Sequence, residues 1–407
     1  MYPREQYLKE IISKKDNGRI KIITGLRRSG KSVLLFQLYR EWLLGEGVKE
    51  DQIIALALDI LENARYRNPL ELDKYVRDHM VDPKKRYYIF IDEIQFVSEI
   101  QNPYVDNEDA KITFIDVILG FMHMDNADVY VTGSNSKMLS SDILTQFRDR
   151  GDEIRVYPLS FAEFYNEYEG DKRGAWQDYY TYGGMPLATS LESHEEKSRY
   201  LKDLFDRTYI KDVLERHEIK NDTEVLDILL DVLASGIGSL TNPSKLANTF
   251  KSERQIGIGS ETIEKYIGYF EESFLIEKAV RYDVKGRKYI GTPAKYYYTD
   301  LGLRNARLGF RQLEETHTME NVLYNDLIRR GMNVDVGVVE YNTKDADGKK
   351  IRKQLEVDFV VNQGGKRFYI QSALSIADPD KKEQEIESLK RIPDSLSKMV
   401  VVRDYLK

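Results

Sequence analysis

Eight residues constrain this chain more than any others: Gly25-Leu26-Arg27-Arg28-Ser29-Gly30-Lys31-Ser32 reads G-x-x-x-x-G-K-S and follows directly on the apolar run at 20–24. That spacing calls for a buried strand, a tight loop, and a helix starting on the loop's far side. The two glycines let backbone N–H groups turn inward around phosphates, and a helix N-terminus near Gly30 adds the positive end of its dipole. Lys31 then supplies a point charge for the β- and γ-phosphates, and Ser32 a hydroxyl ligand for magnesium. The segment predicts binding of ATP with Mg2+ by residues 25–32, ahead of a helix over 33–44.

A second motif, Tyr87-Tyr88-Ile89-Phe90-Ile91-Asp92-Glu93, is an apolar run that ends in two carboxylates. Buried parallel strands deliver acids to their carboxyl ends in this way, and ligands of open α/β sheets bind at that end. Asp92 is placed to hold magnesium, and Glu93 to orient and polarise the water that attacks the γ-phosphate. The pair points to hydrolysis. Apolar runs at 53–59 and 129–132, with a helical pattern at 69–80, give the alternation of a doubly wound parallel α/β sheet. The run at 129–132 ends in Thr132-Gly133-Ser134-Asn135. Asn135, then Ser134 and Thr132, are candidates to touch the γ-phosphate or the attacking water, while ordinary turn chemistry accounts for the same residues.

Together with Tyr157-Pro158-Leu159-Ser160-Phe161-Ala162-Glu163-Phe164 and Tyr182-Gly183-Gly184-Met185-Pro186, these segments resemble the bacterial and archaeal AAA+ ATPases that couple an N-terminal ATPase to a C-terminal domain of unknown function. The resemblance implies an ATP hydrolase in which turnover switches the placement of the C-terminal parts. A nucleotide-gated adaptor with little turnover and an ATP-dependent nuclease are the alternatives. It also implies an arginine finger just upstream of a last strand at 153–157, which maps onto Arg150, with Arg148 second; an exposed arginine in a charged loop is the competing reading. A finger that serves a neighbouring copy makes a homo-oligomer an expectation.

At 407 residues the chain exceeds one compact core, so several domains are expected. The absence of cysteine excludes disulfides and thiolate chemistry, and the five histidines form no close pair at ligand spacing. No metal besides magnesium is implied. The first residues carry no apolar targeting core and no apolar stretch reaches 18 residues, so no membrane span and a cytoplasmic location are expected. A net charge of −7 gives no global nucleic-acid footprint, so any such contact must be local.

After Pro158 the alternation stops. Helical patterns at 161–169, 176–182 and 195–217 are followed by three more at 224–233, 243–251 and 260–274, with Ser260 as N-cap of the last. Two strands at 275–284 and 294–299 then flank the turn Lys285-Gly286-Arg287. Three helices and a hairpin is the winged-helix arrangement. Glu261, Glu264, Glu271 and Glu272 on the outer face of the third helix should repel phosphate. The hairpin region 281–311 instead carries Arg281, Lys285, Arg287, Lys288, Lys295, Arg304, Arg307 and Arg311 among Tyr289, Tyr296, Tyr297 and Tyr298. That run suits a DNA backbone or a protein partner, and equally a solvated basic strand edge.

The last region, with a helix near 320–327 and strands at 334–341, 354–361 and 368–372, resembles the PD-(D/E)xK nuclease-like fold. The resemblance assigns the helical acid to Glu320 and the strand acid to Asp358, while the third motif reads Gln371-Ser372-Ala373. A ligand carboxylate and the lysine are missing there, so a degenerate, non-cleaving domain is expected. The expected organisation is a P-loop AAA+ core at 1–158, a helical region at 159–223, a winged helix at 224–311 and the nuclease-like α/β domain at 312–407.

Overall fold

The computed structural model describes residues 2–107, 109–133, 150–219, 223–344 and 349–403. Its contacts separate into two units, Met1–Tyr157 and Pro158–Lys407.

In the first unit five strands form one parallel sheet: β1 (Ile20–Thr24), β2 (Ile53–Ala57), β3 (Tyr87–Asp92), β6 (Ala127–Thr132) and β7 (Gly151–Arg155), in the order β2-β3-β6-β1-β7. A small hairpin, β4 (Ile100–Gln101) with β5 (Lys111–Ile112), lies between β3 and β6 in the chain. Strands β1, β3 and β6 are buried at every position, which explains their unbroken apolar runs: both faces of the sheet are covered. One face packs on α3 (Pro69–His79) and α4 (Phe114–Met122) through Leu72, Val76, Val117, Ile118 and Phe121. The other packs on α1 (Glu5–Lys14) and α2 through Tyr7, Ile11, Leu34, Leu35, Tyr39 and Leu43. Helix α2 starts at Lys31–Val33 and runs on through a wide-turn segment Leu34–Tyr39 into Arg40–Gly45. Local chemistry sets the helix starts: Asn68 accepts from Leu70 N at 3.0 Å ahead of Pro69, and Thr113 exchanges bonds with Asp116 in a capping box.

The second unit begins with α5 (Phe161–Asn166), α6 (Ala175–Tyr182), α7 (Pro186–Thr189), α8 (His194–Leu204) and α9 (Lys211–Arg216), the last two joined by a wide-turn segment Phe205–Ile210. Next come α10 (Thr223–Ser235), α11 (Pro243–Glu253) and α12 (Ser260–Glu272), then β8 (Ile276–Asp283), β9 (Lys288–Tyr298), α13 (Leu301–Arg307) and α14 (Glu315–Arg329). The chain closes with β10 (Asn333–Lys344), β11 (Lys350–Gln363), β12 (Lys366–Ala373), α15 (Pro379–Lys390) and β13 (Ser397–Val402). Gly259, not Ser260, occupies the N-cap of α12, and no side-chain bond caps that helix.

The hairpin β8–β9 does not stand apart as a wing. Strand β8 pairs in parallel with β10, so one six-stranded sheet runs β13-β12-β11-β10-β8-β9 across the expected border near residue 311. One core crosses it too, joining Ile237, Ala279, Tyr297, Tyr324, Val336, Phe359 and Ile370.

The two turn-rich motifs near the start of this unit meet each other. Ser160 and Glu163 form the capping box of α5, and Leu159 N donates to Gly184 O at 2.7 Å. Gly184 N in turn donates to the Asp300 carboxylate at 2.7 Å, so the turn at 183–184 is clamped from two sides. A Cβ at Gly184 would lie 2.1 Å from the Leu159 carbonyl oxygen, and one at Gly183, whose φ is +72°, about 2.4 Å from Asp300. Backbone cannot yield as a flexible side chain can, so Gly184→Ala should cost about 2–3 kcal/mol, whereas Gly291→Ala, with nothing within 4 Å, should stay within about 0.5 kcal/mol of wild type. Urea melts of the two variants decide it; equal midpoints would show that the clamp at Gly184 is not rigid.

Candidate functional site

Strands β1, β3 and β6 are neighbours and run in parallel, so the loop after Thr24, the acids at 92 and 93, and Thr132 all emerge at one end of the sheet. Gly25 has φ +127°, and a Cβ there would lie 2.1 Å from Val156 O, so only glycine lets the loop pass the chain leaving β7. Gly30, at φ +100°, is the N-cap of α2. Leu26 and Ser29 are buried, Arg27 is half-buried and Arg28 is exposed. Lys31 folds back so that Nζ donates to Gly25 O and Leu26 O, both at 3.1 Å. Burial pulls its pKa down to about 8 against the opposing fields of Glu93 and Asp92.

Asp92 is 5% exposed and gathers the site. Its carboxylate accepts Ser32 Oγ at 2.7 Å and the hydroxyl of Thr132, and burial raises its pKa despite those two bonds. Thr132 Oγ1 also accepts from Glu93 N at 3.0 Å. Glu93 sits at φ +52°, and Gln95 Nε2 donates to its Oε2, holding the carboxylate back along its own chain. Gln95 Oε1 is buried without a hydrogen-bond partner. The restraint on Glu93 by Gln95 escaped sequence reading, because glutamine two residues after an acid carries no spacing signal.

The donor set suits magnesium. Ser32 and Asp92 bring two oxygens into contact, and a magnesium ion bound with a nucleotide takes only one or two protein oxygens beside phosphates and water. Groups of three or more acidic or histidine ligands are absent among the described residues.

Other predicted residues lie elsewhere. Arg150 is exposed and immediately precedes β7, whose Gly151 pairs with Ile20 at the start of β1. It therefore marks the opposite end of the sheet from the phosphate loop, roughly five strand residues or 15 Å away. Ser134, Asn135 and Arg148 lie outside the described residues.

Of the eight basic residues in the run at 281–311, Lys295 and Arg304 are buried and Arg281 and Arg307 half-buried, while Lys285, Arg287, Lys288 and Arg311 are exposed. Lys295 is 2% exposed and its Nζ lies 2.7 Å from Glu320 Oε1 and 2.6 Å from Glu356 Oε1. Arg304 is fully buried and donates to Ala234 O at 2.8 Å and to Asn305 and Gln312 O. Arg307 is paired with Asp231 at 2.5 Å and Asp227 at 3.0 Å. Tyr296, Tyr297 and Tyr298 are buried, leaving Tyr289, 65% exposed, as the one tyrosine of the four at the surface. The residue types suggested a surface track; half of the basic residues do stay at the surface, while Lys295, Arg304 and three of the four tyrosines are taken into the interior.

At the nuclease-like end, Glu320 and Asp358 are buried, and Tyr297 OH donates to Glu320 Oε1 at 2.5 Å. Burial, then the Glu320 charge, push Asp358 up to about 7, while its carboxylate accepts Ser372 N at 2.7 Å. Burial pulls the Lys295 ammonium down, but Glu320, Glu356 and Asp358 outweigh it and hold it above its ordinary value. Lys295 on β9 is thus an internal cationic partner of Glu320 and Glu356. Gln371 Oε1 accepts from Ser388 Oγ at 3.3 Å.

Titration of Lys31 gives a sign. A triphosphate against Lys31 favours the ammonium form, so binding above pH 8 must take up a proton. Affinity for ATP should be flat below about pH 8 and fall towards tenfold per unit above it. Calorimetry in two buffers of different ionisation enthalpy checks the proton uptake; pH-independent binding from 7 to about 9.5 would remove Lys31 as the titrating group.

A family profile described as an AAA domain matches residues 17–165, and one described as a domain of unknown function matches residues 173–314. An uncharacterized protein of Haemophilus influenzae is 33% identical over 410 residues, covering 100% of this chain and 94% of that protein. An uncharacterized protein of Methanocaldococcus jannaschii is 28% identical over 391 residues, covering 92% and 78%. Among solved structures, a Walker-type ATPase of Pyrococcus abyssi superposes with a TM-score of 0.50 at 12% identity, over 76% of this chain and 96% of that one, a likeness of fold.

Proposed function

The chain belongs to one family with the Haemophilus influenzae protein and carries an AAA domain, and on that premise we propose that it is a magnesium-dependent ATP hydrolase. The observation that carries the reading is the convergence of Lys31, Ser32, Asp92, Glu93 and Thr132 at the ends of three adjacent parallel strands. Loop amides and Lys31 hold the β- and γ-phosphates and offset charge there. Ser32 and Asp92 would hold magnesium, which neutralises phosphate charge when bound. Thr132 fixes both acids: it bonds the Asp92 carboxylate and the Glu93 amide, which sets where the Glu93 side chain starts. Glu93 orients the attacking water and accepts its proton as the new P–O bond forms and the bond to the ADP oxygen breaks. Hydrolysis switches the placement of the C-terminal parts.

Holding and chemistry separate by substitution. Lys31→Ala should abolish ATP binding, whereas Glu93→Gln should bind normally and lose turnover by about 100-fold or more. Phosphate release and equilibrium binding on the same preparations measure both; equal hydrolysis by wild type and Glu93→Gln would take the catalytic role from Glu93.

One observation favours a second reading, a nucleotide-gated adaptor with little turnover: Gln95 ties Glu93 back. Under either reading the tie restrains hydrolysis, and breaking a charge-assisted bond of this kind should raise basal turnover about fivefold or more in Gln95→Ala. A variant as slow as wild type would show that the Gln95 contact does not limit the reaction.

Arg150 is assigned as a finger for a neighbouring copy. Arg150→Ala should cut turnover by about 1,000-fold with ATP affinity nearly intact, because the charge it meets develops only in the transition state. Mixing Arg150→Ala with Glu93→Gln subunits should restore part of the activity. No restoration at any mixing ratio would argue against action between copies.

The nuclease-like end is proposed to bind or pack without cutting. Cleavage of a phosphodiester needs acidic oxygens free for metal, and here a buried ammonium already occupies Glu320 and Glu356. Linear, circular and single-stranded DNA should stay intact with magnesium or manganese. Cutting by wild type that vanishes in Asp358→Ala would overturn this.

A further inference from the structure

Within the second unit a cavity of about 580 Å³ opens between α8, the wide-turn segment after it, the end of α11 and the turn that follows α13. Its lining carries four basic residues, Lys202, Arg254, Arg307 and Arg311, against two acids, Asp206 and Asp231. The two acids face Arg307, which lies 2.5 Å from Asp231 and 3.9 Å from Asp206. Lys202, Arg254 and Arg311 come from three separate elements and line the cavity without an acid in ion-pair range among the described residues, though Lys202 acts electrostatically on Asp206 and lies 6.0 Å over the Phe310 ring. These three exposed side chains place like charges around one hollow, and an anion between them lowers their mutual repulsion. Phe205 and Leu308 give the hollow an apolar floor.

The turn that presents Arg311 is itself unusual. Gly309 at φ +60° is followed by Phe310 at φ +58°, a left-handed phenylalanine held by its N–H on Asn305 O at 2.7 Å and by ring contacts with Tyr182 and His194. A non-glycine residue in that region costs of order 1 kcal/mol or more, and such strain persists where the surroundings over-determine it. Arg311, which follows this turn directly, lines the cavity with Arg254.

We infer that this cavity binds a small phosphate-bearing ligand, with Arg254, Arg311 and Lys202 on the phosphates and the Phe205–Leu308 floor under the rest of the molecule. Guanidinium groups match phosphate oxygens in geometry as well as charge, and the volume falls in the range of small-ligand sites. The chemistry is shared by a free oligophosphate and by the phosphate tail of a nucleotide. The site is distinct from the phosphate loop and does not depend on it.

The test uses the full-length Lys31→Ala protein, to silence the phosphate loop, titrated with inorganic pyrophosphate at low salt in a calorimeter. One binding event is expected, weakened at least about tenfold when Arg254→Gln and Arg311→Gln are added. Adding Arg287→Gln and Lys288→Gln instead, at a turn outside the cavity, should leave it unchanged. Absence of binding by Lys31→Ala, or the same loss with either pair, would overturn the proposal, the latter by showing general charge attraction. ADP binding at least about tenfold tighter than pyrophosphate assigns the nucleotide source, and comparable affinities assign free oligophosphate; both require the loss in Arg254→Gln/Arg311→Gln.

Discussion

Two hydroxyls on one buried carboxylate hold the first unit's site together. Asp92 takes Ser32 from the helix after the phosphate loop and Thr132 from the end of β6, so three chain segments that are far apart in sequence share one acid. Desolvation penalises the charge on Asp92, and these bonds are what offset it. Because the strands are parallel and in register, the bond geometry is set by the sheet and not by loops. Lys31 and Glu93 sit beside this carboxylate, Lys31 folded onto the Gly25 and Leu26 carbonyls and Glu93 held by Gln95.

Both units spend charge in their interiors. In the first, Lys21, fully buried, pairs with Asp128, whose other oxygen accepts Tyr130 OH at 2.7 Å and Asp16 N at 2.9 Å. In the second, Lys295 pairs with Glu320 and Glu356. Replacing a buried pair with apolar residues is often neutral or stabilising, whereas removing one member leaves an uncompensated charge at a cost of about 3–5 kcal/mol. Such pairs therefore add little net stability but penalise any packing in which the partners fail to meet. For Lys21 that means one register of β1 beside β6; for Lys295 it means one seating of α14 on β9 and β11.

What could be read without a structure follows from the range of each interaction. The phosphate loop, the acids at 92 and 93 and most strands are encoded within a few residues, and their positions were legible, whereas the caps at Asn68 and Ser160 were not read and the one expected at Ser260 falls on Gly259. The union of β8–β9 with β10–β13 was not, because the parallel pairing of Arg281 with Val336 joins residues more than fifty positions apart and no local pattern marks it. The same reason hid the fate of the basic run. Lysine and arginine read as surface residues unless a partner is known, and the partners of Lys295 and Arg304 are Glu320, Glu356, Ala234 and Gln312. Helix α1, α15 and β13 also lacked a signal strong enough to separate them from charged surface.

Lys295 changes how the nuclease-like end is understood. From residues alone, Glu320 and Asp358 without a third acid or a lysine at 373 look like the remnant of a site that has lost its cation. The structure shows a cation in place, delivered by another strand and buried to 2% exposure, with Tyr297 donating to the same carboxylate oxygen. An ammonium in contact with two carboxylates does electrostatically what a metal ion would do for them, and it does so without exchange with solvent. Acids that would otherwise be too costly to bury can then remain where α14 meets the sheet. The Lys295–Glu320 pair is thus part of the second unit's core, while Asp358, which accepts from Ser372 N, is pushed towards its neutral form by burial and by the Glu320 charge beside it.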